Sequence, residues 1–166
     1  MQTSRIFETD ASRATLLARL LVGWVFLTEG IHKFLFPVAL GVGRFTKIGI
    51  PAPQFFAPFV GTVEIACGIL VIVGLLTRVA GLLLLINISV PILTTKLPML
   101  TKVGFWATMH ESRTDICMWL GSMFLIIVGA GPWSVDIPLM RRNQDSKEPG
   151  QLTVEREIDL SYQNRA

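Results

Sequence analysis

The residues of this chain that could do chemistry are few and stand in three groups. Glu29, His32 and Lys33 lie near the end of the first apolar run, Glu64 is alone in the second, and His110, Glu111, Arg113 and Asp115 crowd the approach to the last. On a helix Glu29 and Lys33 are i, i+4 neighbours with His32 beside them, so an acid, an imidazole and an amine share one face. Such a set can move a proton, hold an anion or compensate its own charges. Glu64 has Gly61 three residues before it and Gly68 four after, which places the carboxylate where another helix can come close rather than towards lipid. An acid at the centre of a membrane helix costs about 2.5 to 3.5 kcal/mol on insertion scales. Glu64 is therefore expected to be protonated or paired, with Lys33 and Lys96 as candidate cations. In the third group Ser112 or Thr114 is expected to cap the last helix, with Asp115 in its first turn at the positive end of the dipole. Capping leaves His110 and Arg113 without a role, so they join Glu29, His32, Lys33, Glu64 and Asp115 as the candidate site. No metal-ligand spacing is evident among them.

The elements that position these groups follow from composition. Over 166 residues, 51% are hydrophobic and only 16% charged, and the mean hydropathy is +0.56; this excludes an ordinary soluble domain of that size. The net charge of +3 is carried by residues at the ends of apolar runs, as membrane flanks carry it, and no base-reading motif suggests a nucleic-acid partner. Cys67 and Cys117 lie in different apolar runs and read as small apolar packers. The segment 1–13, with Glu8 and Asp10 and no small-residue cleavage site, does not read as a removable signal peptide.

The expected architecture is all-α: an integral membrane four-helix bundle over 14–136, with an N-terminal tail 1–13 and a polar tail 137–166. Its helices are expected at about 14–36, 54–76, 78–96 and 114–131, each near the roughly 20 residues needed to cross a bilayer. Arg19 is expected to snorkel to the nearer interface. Arg44 and Lys47 beside Phe45 and Ile48 predict a short amphipathic helix lying in the interface between the first two crossings. Pro91 predicts a kink, and 97–113, with Phe105 and Trp106, a loop or short interfacial helix. Four crossings leave both termini on one side, cytoplasmic by a slim excess of Lys and Arg, and bring the ionisable groups towards the other side, where they are expected to converge on one pocket. The alternation at Leu152, Val154, Ile158, Leu160 and Tyr162 predicts a tail that is disordered alone or adds to another subunit's sheet.

Several separate segments carry a family resemblance. Gly30-Ile31-His32-Lys33, Gly61-Thr62-Val63-Glu64 to Gly68, Gly74-Leu75-Leu76-Thr77-Arg78, His110-Glu111-Ser112-Arg113-Thr114-Asp115 and Gly129-Ala130-Gly131-Pro132-Trp133-Ser134-Val135-Asp136 resemble, in order and spacing, the DoxX family of small four-helix membrane proteins. That family is named for a small subunit of an archaeal thiosulfate:quinone oxidoreductase. The resemblance implies a bacterial-type inner-membrane protein with a quinone-linked redox role towards a small sulfur-type substrate. His32 or His110 would donate protons, Lys33 and Arg113 would hold an anion, and Glu64 would carry a proton internally. No haem ligand pair, iron–sulfur cysteine set or flavin fingerprint is evident, so a redox centre is expected on a partner within a larger complex or homo-oligomer. The competing readings are a non-catalytic subunit that anchors such a complex, and a small-anion or lipid-binding membrane protein.

Overall fold

A computed structural model describes residues 13–136. The tail 137–166 and its alternating pattern lie outside the described residues. Helix α1 runs Thr15–Leu35 and stops before Pro37, the Phe36 amide donating to the His32 carbonyl at 2.8 Å. The short α2, Val42–Lys47, buries Phe45 and carries Arg44 and Lys47, as its amphipathic sequence predicts. Helix α3, Pro53–Val73, starts with proline in its first turn, where a missing N–H costs nothing. Gly74 ends it at φ +77. Helix α4, Thr77–Pro91, continues through a π turn, Ile92–Lys96, into α5, Leu97–Val103. After Gly104, α6 spans Phe105–Val128.

One core holds these elements together. Val22 and Phe26 of α1, Cys67 and Val71 of α3, Ala80 and Leu84 of α4, and Met118 and Leu125 of α6 bury against one another. Helices α1 and α3 meet almost backbone to backbone. A Cβ on Gly30 would lie 2.7 Å from the Gly61 carbonyl, and one on Gly68 would lie 2.9 Å from the Gly23 carbonyl, so both positions require glycine. Outside this core the long helices expose Leu17, Trp24, Phe55, Ile86, Leu93 and Ile127. Exposed apolar rings and branches all round a bundle are costly in water and ordinary in lipid. Among the described residues three helical segments are long and apolar enough to cross a membrane: Thr15–Leu35, Pro53–Val73 and Thr77–Val103.

Of the two forms expected for 97–113, a loop or a short interfacial helix, 97–103 takes the short helix α5, but α6 begins at Phe105 rather than at 114. The break falls at Gly104, whose φ of +87 and ψ of 169 lie in a region that residues with a Cβ rarely enter. Neither Ser112 nor Thr114 is therefore a cap, and Asp115 stands well inside the helix. The kink expected at Pro91 is a π turn: Pro91 and Pro98 each remove a backbone donor on either side of it, and the ladder changes register between them.

Arg19 also departs from expectation. It does not reach for the interface but is buried, at 2% exposure. Its Nε donates to the Val71 carbonyl at 2.9 Å, and Nη2 to Ile72 at 2.6 Å. Its Nη1 donates to Ala130 at 2.9 Å and to Trp133 at 2.6 Å. Those carbonyls lie at the end of α3 and just beyond α6, where the helical ladder leaves acceptors without donors. Asp136 is close enough to act electrostatically on the guanidinium. Its Oδ1 accepts from the Leu76 amide at 2.9 Å, so the start of α4 is tied into the same knot. Gly74 is fixed twice over, by its φ and because a Cβ would lie 2.6 Å from the Arg19 Cζ.

Candidate functional site

At the opposite end of the helices from Arg19, the polar groups meet across helix pairs. Lys33 stands in the last turn of α1 and Glu64 midway along α3, buried with Gly61 and Gly68 on the same face. The glycines bring the α1 backbone close enough for Lys33 to turn inward, and Lys33 Nζ donates to Glu64 Oε2 at 2.5 Å. Side-chain exposures of 13% for Lys33 and 7% for Glu64 show that the pair is largely desolvated. Asn87, projecting from α4, donates from Nδ2 to Glu64 Oε1 at 2.5 Å. Both carboxylate oxygens thus have donors, from two different helices. Of the two cations considered for Glu64, Lys33 is its partner. Glu29, one turn before Lys33, is exposed but near enough to act electrostatically on Glu64. His32 is exposed and packs its ring on Phe36 at a centroid distance of 5.8 Å.

A second group joins the π turn to α6. Lys96 Nζ lies 3.5 Å from Asp115 Oδ2 and donates to the Glu111 carbonyl at 2.9 Å. Elsewhere on α6, Arg113 Nη1 is 3.2 Å from His110 Nδ1 and 3.3 Å from His110 Nε2. Near-equal distances to both ring nitrogens set the guanidinium against the imidazole face, a stacking that arginine favours. Both residues are exposed. Further along the same pair of helices, Trp119 Nε1 donates to Ser89 Oγ at 3.1 Å.

Among the described residues no hydrogen bond or ion pair links all the candidate residues into one network: Lys33 pairs with Glu64, Asp115 with Lys96 and Arg113 with His110, while His32 packs on Phe36. The partners that sequence reasoning overlooked are Asn87, Ser89 and Trp119. Asn87 had a readable signal: an amide within a Leu- and Ile-rich run must find a partner in the bilayer. Among the described residues no group of three or more His, Cys, Asp or Glu is placed to hold a metal ion.

Comparison with known proteins now bears on this arrangement. A DoxX family profile matches residues 14–97, which contain Lys33, Glu64 and Asn87. This chain belongs to the DoxX family. Over 144 residues it is 49% identical to a Mycobacterium tuberculosis (strain ATCC 25618 / H37Rv) protein named "Uncharacterized membrane protein Rv3486", covering 83% of this chain and 88% of that one. It is 32% identical over 116 residues to a Bacillus subtilis (strain 168) protein named "Putative oxidoreductase CatD", covering 70% and 79% of the two chains. No solved structure matches. Family membership and the three long apolar helices make this DoxX chain a membrane protein.

Proposed function

We propose that this DoxX chain is the membrane subunit of an oxidoreductase assembly in a bacterial-type inner membrane, with α6 as its fourth crossing and its termini cytoplasmic. The observation that carries the reading is Glu64, an acid held deep between helices with Lys33 on one oxygen and Asn87 on the other. A desolvated carboxylate–amine pair can shift one proton between its members with little movement of heavy atoms, which suits a group that takes up or releases protons as electrons pass nearby. The relative named as an oxidoreductase supports the reaction class. Electrons come from a redox centre on a partner subunit, drawn from a small sulfur-type substrate.

The exposed donors fit a quinone as the membrane-side acceptor. His32 stands beside Phe36 and His110 against Arg113, and neither imidazole is tied to a carboxylate among the described residues. His32 or His110 would donate to a headgroup carbonyl, with Arg113 holding negative charge nearby. When bound, the quinone supplies a two-electron, two-proton acceptor. Glu64, Lys33 and Asn87 hold and release the proton at Glu64 Oε2.

A second reading rests on an observation of its own. Both Glu64 oxygens are satisfied, so the triad is also complete as a lock between α1, α3 and α4, as a subunit that only anchors a complex requires. One experiment separates the two. The chain is purified from its native membrane in mild detergent, and the co-purifying assembly is assayed for reduction of a short-chain quinone analogue. The redox reading expects K33M/E64Q to retain the assembly and lose most of the rate. Full activity in that variant leaves the anchoring role.

A further inference from the structure

The chain between Ile92 and Gly104 is held unlike the rest of the bundle. No residue of the π turn or of α5 is buried, whereas α1, α3, α4 and α6 each contribute to the core. A π turn marks one end of this stretch, and a weakened ladder of that kind often accompanies motion or function. Gly104 marks the other; a Cβ there would meet nothing within 4 Å, so the joint is unpacked as well as unusual in φ. The bonds from Trp119 to Ser89 and from Lys96 to Asp115 fix α4 and α6 as antiparallel. Continuing that register sets the π turn and α5 over Thr108 and Ser112 of α6, which are both 2% exposed. That part of α6 therefore carries two buried hydroxyl residues, while α5 itself buries none of its own. Among the described residues Ser112 Oγ has no hydrogen-bond partner, and neither does Thr95 Oγ1 in the π turn.

We propose that α5 is a flap. It swings on the π turn and Gly104, is latched shut by Lys96 on Asp115 and the Glu111 carbonyl, and in opening admits water and small hydrophilic solutes to the Ser112 face of α6. The proposal is independent of the redox reading, because it concerns access and not chemistry.

Thiol labelling tests it. In a C67A/C117S background, Ser112→Cys, Thr101→Cys and Ser122→Cys are made singly and exposed in detergent to a hydrophilic methanethiosulfonate. Thr101 is exposed on α5 and Ser122 is fully buried further along α6. S112C is expected to label much more slowly than T101C. Adding K96M raises the S112C rate about fivefold, the scale of losing a partly exposed ion pair, while K96R leaves it slow. T101C keeps its rate and S122C stays protected, which separates flap opening from loss of fold. The proposal is overturned if S112C labels as fast as T101C from the outset, if K96M leaves its rate unchanged, or if S122C becomes reactive alongside it.

Discussion

Two cations on the same helix, the buried Arg19 and the half-buried Lys33, solve the same problem in opposite ways. Arg19 spends four N–H donors on backbone carbonyls from two other parts of the chain. Lys33 commits its charge to one carboxylate, Glu64. A guanidinium stays charged at any relevant pH and presents a rigid fork, so it suits a permanent clamp on helix ends. An ammonium on a flexible stem, facing an acid, belongs to a pair that can exchange a proton or be neutralised together. The end of the bundle at Arg19 is thus built to stay fixed, and the end at Lys33 contains the groups able to change state.

The largest expected effect sharpens that contrast. Arg19→Met leaves four carbonyls without donors and Asp136 without its cation, a loss of about 3 to 5 kcal/mol by analogy with broken buried pairs. It should abolish folded protein as judged by size-exclusion chromatography of the detergent extract. Arg19→Lys should recover little, since one ammonium cannot span acceptors on both sides. Recovery to wild-type yield by lysine would show that charge alone, and not the fork, holds the knot.

Next comes the pair itself. Lys33→Met strands a buried carboxylate and Glu64→Leu a buried ammonium, each lowering stability by about 3 kcal/mol, whereas the double variant should lose clearly less than either. Thermal unfolding of the four proteins closes the cycle. Additive losses would mean that the two side chains do not depend on each other, and the contrast with Arg19 would fail. Asn87→Ala removes a hydrogen bond to a charged group and should cost about 1.5 to 3 kcal/mol, read in the same melts. The smallest effect is expected at Lys96, whose ion pair with Asp115 is longer and partly exposed: Lys96→Met should lower global stability by no more than about 1 kcal/mol. A larger loss would mean that the π turn belongs to the core, not to a mobile margin.

The difference between the two ends also explains what could be read from sequence. Glu64 was legible because a lone acid between glycines in an apolar run must find a donor, and Lys33 stands where a neighbouring helix can supply one. Arg19 was not, because its acceptors are backbone carbonyls, which every residue possesses and no sequence distinguishes. Gly104 and Gly129 look alike in the sequence, yet Gly104 starts a helix and Gly129 ends one. Charge in 110–115 concealed the helix running through it, because only one face of α6 there, at Thr108 and Ser112, is buried. Convergence of all the ionisable groups was an extrapolation from topology. Topology places groups at one end of a bundle, but it does not say which helix pair each one enters.

Chain order gives the two cations different histories during synthesis. Lys33 and Glu64 are separated by 31 residues, so their contact can close as soon as the second long helix has entered the bilayer. Arg19 reaches acceptors as far away as Trp133, 114 residues on, and must wait, incompletely satisfied, until the ribosome has delivered nearly the whole domain. A nascent chain halted after α3 would therefore hold one cation already neutralised and the other still without half of its acceptors.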